Sequence, residues 1–360
     1  MNNPWELDHF REELVSVNID APQPQQLFLS VRGPPRTTPK QPVAIIECGA
    51  AATTRWWTVV QRLLCPTLRV YCYDRAGLGR SGHAVVFPRT ASSMAFELER
   101  LFETVGVEPP FIFITHSYGA IITREFLARL PSPKQSVVGM LFVESNQEKT
   151  HQELIVSSHL STSLSGLNSL VSTGLYEDHQ YSEAEVEAIL KYESGTTTNR
   201  SDKPSAAISE LENMESSARA LADREQLQKH ILSPNPITVM RGDITRDLRR
   251  LFKTSGVMHQ GAEEIESFLE HFARVDRQLQ REILQLSHSA RFVQAKKSGH
   301  HVEATEPELI TAEVRRIVKL SFSQTLHDHL CSTHTAQITF FFLQPQLMPG
   351  SRVTLEDISY

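Results

Sequence analysis

The chain has 360 residues, which at about 150 per domain points to roughly two domains or to one large α/β domain carrying an insertion. With 40% hydrophobic and 22% charged residues it lies close to globular averages, which excludes collagen, a long coiled coil and disorder throughout. A formal charge of −6 without any long Lys/Arg run argues against a nucleic-acid partner, and no stretch approaches the roughly 20 apolar residues of a membrane span.

The opening residues, Met1 to Asp8, lack the basic and apolar regions of a signal peptide, so a cytoplasmic protein is expected, with residues 1–24 as an N-terminal extension. Cys48, Cys65, Cys72 and Cys331 form no CxxC pair and are read as reduced and structural. The 15 histidines are scattered, and the neighbours His300 and His301 cannot both face one ion from a regular element, so no metal site is expected.

In chain order, short β-rich runs alternate with helical patterns, the signature of a mostly parallel sheet wound on both faces. Strands are predicted at Gln26–Val31 and Val43–Glu47. The second ends in Cys48-Gly49-Ala50-Ala51, where small residues let a backbone N–H, that of Ala50, approach a ligand. A helix at Arg55–Leu64 and a strand at Leu68–Tyr73 lead to Asp74-Arg75-Ala76-Gly77-Leu78-Gly79-Arg80-Ser81-Gly82. The last six residues of that stretch satisfy a formal GxGxxG, but a dinucleotide fingerprint needs its third glycine in an opening helix, and His83 to Pro88 reads as a loop. Asp74 is therefore read as structural.

After a helix at Ser92–Val105, the buried strand Phe111–Thr115 runs through His116 straight into a helix at Tyr118–Leu130, with Ser117 at the corner. A serine on so tight a strand-to-helix turn is pushed out above the sheet edge as a nucleophile, and the N–H of the next residue, Tyr118, points where an oxyanion forms. Gly119 provides room on one side, whereas Thr115 stands where a glycine is usual on the other.

A strand at Val137–Glu144 is followed by about 90 residues before the next at Ile237–Arg241, far more than an ordinary loop. That interval is polar and helix-prone at Ser182–Tyr192 and Ile208–Lys229, so residues 151–232 are read as a helical lid. A helix at Glu264–Leu286 and a strand at Ala290–Ala295 precede Ser298-Gly299-His300-His301 and a helix at Pro307–Leu320. A histidine after the last strand can reach Ser117 across the top of the sheet. His300 is preferred because Gly299 before it permits a tight turn through its freedom at φ. Residues 323–360, rich in His, Thr, Pro and Phe, form a tail of unassigned role.

The Asp74–Ser81 turn, the Thr115–Gly119 elbow and the Ser298–His300 loop together resemble an α/β-hydrolase-fold enzyme of the Ser-His-acid type. The resemblance covers residues 25–322, with core segments 25–150 and 233–322 around the lid. Phe142 to Glu148 and Ser298 to Leu309 are similar to hydrolases common in fungi, some of them associated with secondary metabolism. The resemblance implies a doubly wound sheet with an inserted helical lid and a serine hydrolase acting on a small-molecule ester or related acyl bond. It implies no cofactor. The family's usual acid falls three residues past Gly242, which here is Thr245. The acid is then either Glu144, at the end of the preceding strand, or Asp243, with Glu144 favoured. Two alternatives remain open: acyl transfer or cyclisation from the same acyl-enzyme, and a non-catalytic binding protein that retains the fold.

Overall fold

Strands buried on both faces must be apolar nearly throughout, and the central strands here meet that condition. In the computed structural model, which describes residues 3–164, 166–197, 205–259 and 261–323, eight strands form one sheet. They are β1 (Phe10–Val17), β2 (Gln25–Arg32), β3 (Val43–Glu47), β4 (Val70–Asp74), β5 (Phe111–His116), β6 (Val137–Val143), β7 (Ile237–Arg241) and β8 (Ala290–Gln294). Their order is β1-β2-β4-β3-β5-β6-β7-β8. β2 runs antiparallel to β1 and β4, and every other pairing is parallel.

Alternation along the strands sorts side chains to two faces. Val43, Ile45, Tyr71, Tyr73, Phe111 and Phe113 join one apolar cluster, covered by the helices Ala91–Val105 and Gly119–Arg129 through Leu98, Leu101, Phe126 and Leu127. Ala44, Ile46, Val70, Cys72, Ile112 and Ile114 join the other, covered by the helix Thr58–Leu64 and by residues 307–321 through Val60, Leu64, Ile310, Val314 and Ile317. Helices on both faces make this a doubly wound α/β sheet. The Ala91–Val105 helix starts at a reciprocal Thr90/Ser93 capping box and stops at Gly106, whose φ of 62° suits glycine.

Phe113 is fully buried, with Phe126 at 5.4 Å and Phe111 at 6.1 Å between ring centres. Phe113→Ala is expected to cost about 3–5 kcal/mol of unfolding free energy, read from the shift of the urea midpoint; a loss under about 1 kcal/mol would show that the core closes around the hole.

The structure departs from the sequence reading in three places. Residues 1–24, given no element above, contain a short helix (Pro4–Leu7) and β1, the antiparallel edge of the sheet. Only Leu14-adjacent Val15 and Val17 of β1 are buried, so the strand lacks the apolar alternation that would have announced it. The helix expected over Ile208–Lys229 is two, Ala206–Glu212 and Met214–Ala222, broken at Asn213. A helix at Ile244–Thr254 was not anticipated, because its Arg- and Asp-rich start reads as a polar loop. The tail expected over residues 323–360 lies, apart from residue 323, outside the described residues.

Between β6 and β7 the chain inserts helices from Thr150–Glu153 to Met214–Ala222. The described residues up to Ser321 form one compact unit that includes this insertion. Among the described residues no helix is long and apolar enough to cross a membrane. Cys48 and Cys72 are buried and Cys65 half-buried, all as free thiols; Cys331 lies outside the described residues.

Candidate active site

Ser117 sits where β5 passes into the helix Gly119–Arg129, with φ at 51°. A residue with a side chain pays about 1–2 kcal/mol for that left-handed conformation, so its neighbours must hold it. The Ser117 N–H donates to the Val143 carbonyl at 3.1 Å, and its own carbonyl accepts from Ala120 N–H at 3.1 Å and Asn146 N–H at 3.0 Å. At Gly119 a side-chain carbon would lie 2.5 Å from the Cys48 carbonyl oxygen, which is why helix and β3 can cross here only over glycine. Thr115, which departs from the usual glycine, is fully buried and places Oγ1 3.5 Å from Ser145 Oγ.

The loop after β3 lies directly against the elbow. A side-chain carbon at Gly49 would come within 3.2 Å of Ser117 Cβ and 2.9 Å of His116 Nδ1. Ala51 has φ 56° and gives its N–H to Glu210 Oε2 at 2.8 Å. Among the described residues, the N–H groups of Ala50 and Tyr118 donate to no protein acceptor.

Glu144 follows β6 with φ at 44°. Its N–H donates to the Met240 carbonyl at 2.9 Å, Oε1 accepts from Gly242 N–H at 2.6 Å, and Oε2 lies 3.4 Å from His300 Nδ1. That last separation exceeds an ordinary N–H···O bond, as is common for catalytic pairs in a resting site. Asp243 is turned elsewhere: its Oδ1 accepts from Thr245 Oγ1 at 2.6 Å. The geometry thus brings Glu144, not Asp243, to His300.

The sequence reading missed the part played by Asp247. Its Oδ2 accepts the His300 backbone N–H at 2.7 Å, and a side-chain carbon at Gly299 would lie 2.0 Å from Oδ1. Gly299 does not have positive φ, so conformational freedom is not why glycine stands there; the Asp247 carboxylate occupies the space a side chain needs. Burial raises the Asp247 pKa against the pull of that N–H. Behind Glu144, burial and then the Glu144 charge push Asp276 up to about 6, while Arg241, at 2.6 Å, opposes them.

The Asp74 turn is structural. Asp74 accepts from Thr54 N–H at 2.8 Å and Arg80 N–H at 3.0 Å, and no helix opens before Ala91, so the GxGxxG has no helix to present to a pyrophosphate.

His116, His301 and Glu303 place one ligand-type atom each within 4.8 Å of one another, which a metal ion could bridge. Both imidazoles are already engaged: His301 Nδ1 is 2.7 Å from Glu303 Oε1 and its ring stacks on Trp56 at 4.8 Å, while His116 Nε2 is 3.0 Å from the His300 carbonyl. A carbonyl only accepts, so Nε2 of His116 carries the proton, and burial lowers that imidazole's pKa from 6.5 to about 4. The unfolded chain therefore takes up the second imidazole proton near pH 6.5 and the native state only near 4. Stability from this group is complete above 6.5 and is lost as pH falls through 4. The expected loss is on the order of 1–3 kcal/mol. Urea midpoints at pH 7 and 4.5 should fall further for wild type than for His116→Gln, which keeps a donor to the carbonyl without the titration; equal falls would sink the assignment.

A model of the alpha/beta hydrolase family matches residues 48–313, from the loop after β3 to beyond the His300 loop. A protein of Gibberella zeae described as an AB hydrolase superfamily protein is 99% identical over 320 residues, 89% of this chain and 99% of that protein. A protein of Hormonema carpetanum named "Probable transporter efuK" is 29% identical over 328 residues, 89% of this chain but 44% of that protein. Among solved structures, a thermophilic esterase from Thermogutta terrifontis aligns with a TM-score of 0.51 at 15% identity, covering 86% of this chain and 99% of that one, a likeness of fold. With a family match across most of its length and a near-identical relative described in the same terms, the chain belongs to the alpha/beta hydrolase family.

Proposed function

We propose that the protein is a serine hydrolase that cleaves a small-molecule carboxylic ester or related acyl bond through an acyl-enzyme on Ser117. The observation that carries this reading is Ser117 held at positive φ on a strand-to-helix corner, with the Gly49 backbone packed against it and His300 paired to Glu144. His300 takes the Ser117 proton as Oγ attacks the acyl carbon, then returns it to the leaving group; water reverses the sequence to release the acid. Glu144 holds the imidazole with its proton on Nδ1 and balances the imidazolium. The N–H groups of Ala50 and Tyr118 receive the oxyanion, each worth about 10²–10³ in rate. The helical insertion acts as a lid over this edge of the sheet. A serine nucleophile cannot form the alkyl-enzyme ester that epoxide or haloalkane opening in this fold needs from a carboxylate.

The test is incubation with a fluorophosphonate, mapping of the adduct by mass spectrometry, and hydrolysis of a series of p-nitrophenyl esters. A single adduct on Ser117 together with turnover is the expected outcome. A folded protein that is neither labelled nor active would move the assignment to a binding role.

A further inference from the structure

Glu210 lies in the insertion, on the short helix Ala206–Glu212, where a carboxylate would ordinarily face water. It is instead fully buried, and so are its partners Arg75, 2% exposed, and Glu47. Arg75 Nε and Nη2 make a two-pronged contact with Glu210 Oε1 and Oε2 at 2.9 and 2.8 Å. The same guanidinium donates from Nη1 to Glu47 Oε1 at 2.7 Å and to the Cys48 carbonyl at 2.9 Å, and from Nη2 to the Gly49 carbonyl at 2.5 Å. Glu210 Oε2 completes the circuit by accepting the Ala51 N–H at 2.8 Å.

The backbone on both sides of Ala50 is thus gripped by one ion pair. Arg75 holds the carbonyls of residues 48 and 49, and Glu210 holds the N–H of residue 51, whose φ of 56° needs such support. The remaining N–H between them, that of Ala50, is left pointing without a protein acceptor among the described residues. The insertion approaches closely enough to deliver Glu210 because the turn after β4 is glycine at 77, where a side-chain carbon would come within 2.4 Å of Ala206 Cβ. A buried bidentate carboxylate–guanidinium pair is geometrically strict, and removing one member leaves the other charge and a backbone donor unpaired in the interior.

We propose that Glu210 is a positioning residue for the reaction, supplied by the insertion, which with Arg75 sets the Ala50 N–H where the oxyanion forms. This rests on the serine hydrolase reading above.

The experiment compares wild type, Glu210→Ala, Glu210→Gln and Ser209→Ala in p-nitrophenyl ester hydrolysis and in inhibition by an alkyl boronic acid, whose adduct with a catalytic serine is tetrahedral and anionic. Ser209 docks the same helix by accepting the Arg89 N–H at 3.1 Å, and among the described residues its hydroxyl has no hydrogen bond to the 48–51 loop. Glu210→Ala is expected to lower kcat about 10–100-fold and weaken the boronate by a similar factor, with KM changed less than about threefold, because the lost contact serves the transition state. Glu210→Gln, which retains an acceptor for Ala51 but not the charge, should lose about 3–10-fold in both. Ser209→Ala should stay within about twofold. Glu210→Gln equal to wild type overturns the proposal, and it decides the matter should Glu210→Ala not fold. Equal losses in kcat and KM, or a Ser209→Ala loss matching Glu210→Ala, also overturn it, since both would mark a general loosening of the insertion. Wild type without turnover or boronate adduct sinks the hydrolase reading and this inference with it; an active wild type with a silent Glu210→Ala sinks this inference alone.

Discussion

Ser117→Ala is expected to lower ester hydrolysis by about 10⁴-fold or more and to abolish fluorophosphonate labelling, with the circular dichroism spectrum unchanged. The loss is large because the acyl-enzyme route has no other nucleophile on that corner: His116 on one side is buried and hydrogen-bonded to the His300 carbonyl, and Tyr118 on the other turns its hydroxyl to Ser217 at 3.0 Å. The fold should survive because what holds residue 117 is backbone. Its N–H and carbonyl bonds to Val143, Ala120 and Asn146 are independent of the side chain. A companion variant separates strain from chemistry. Ser117→Gly removes the nucleophile as well, but glycine adopts a φ of 51° without penalty, so it should be equally inactive yet more stable than Ser117→Ala by about 1 kcal/mol. Activity retained in either variant, measured against the same ester series, would remove Ser117 from the mechanism.

The second large effect is expected at Glu144. Glu144→Gln should lower kcat by about 10²–10⁴-fold, while Asp243→Asn stays within about twofold of wild type. A glutamine at 144 can turn its NH₂ toward His300 Nδ1, which forces the proton to the other ring nitrogen and leaves no base for Ser117; it also withdraws the charge that balances the imidazolium. Asp243 has no such reach, since its carboxylate is held by Thr245 Oγ1. The reverse result, a silent Glu144→Gln beside a crippled Asp243→Asn, would mean that the loop after β7 rearranges on substrate binding to bring Asp243 to the histidine. A rate profile against pH distinguishes loss of the base from loss of the fold, because a tautomer fault lowers the plateau at every pH where the enzyme is folded.

Much of this protein is legible in one dimension because its signals are local. Runs such as Phe111–His116 and Val137–Val143 announce strands buried on both faces without reference to the rest of the chain. The elbow is equally local: strand, Ser117 and helix are consecutive, and the need for glycine at 119 follows from how tightly such a turn must close. His300 is reached by chain order and by its place after the last strand. Where the signal is weak in sequence, it fails: β1 pairs only along the sheet edge and carries little apolar pattern.

Other features exist only in three dimensions. Glu144 and Asp243 each follow a strand of the parallel sheet, so both are formally placed to serve His300. The decision came from the lateral order of β6, β7 and β8, which sets Glu144 Oε2 at 3.4 Å from the ring while Thr245 engages Asp243. Gly299 is necessary not for its freedom at φ but because the carboxylate that fills its side-chain space belongs to Asp247, on a helix that the sequence does not betray. Glu210 is the extreme case, a glutamate in a short insertion helix more than a hundred residues from Arg75, indistinguishable in sequence from a solvated one. Hydrophobic periodicity and turn chemistry are properties of neighbours along the chain, and they specify where strands and helices form. Which carboxylate meets which cation or imidazole is a property of neighbours in space, and only the assembled sheet and its insertion decide that.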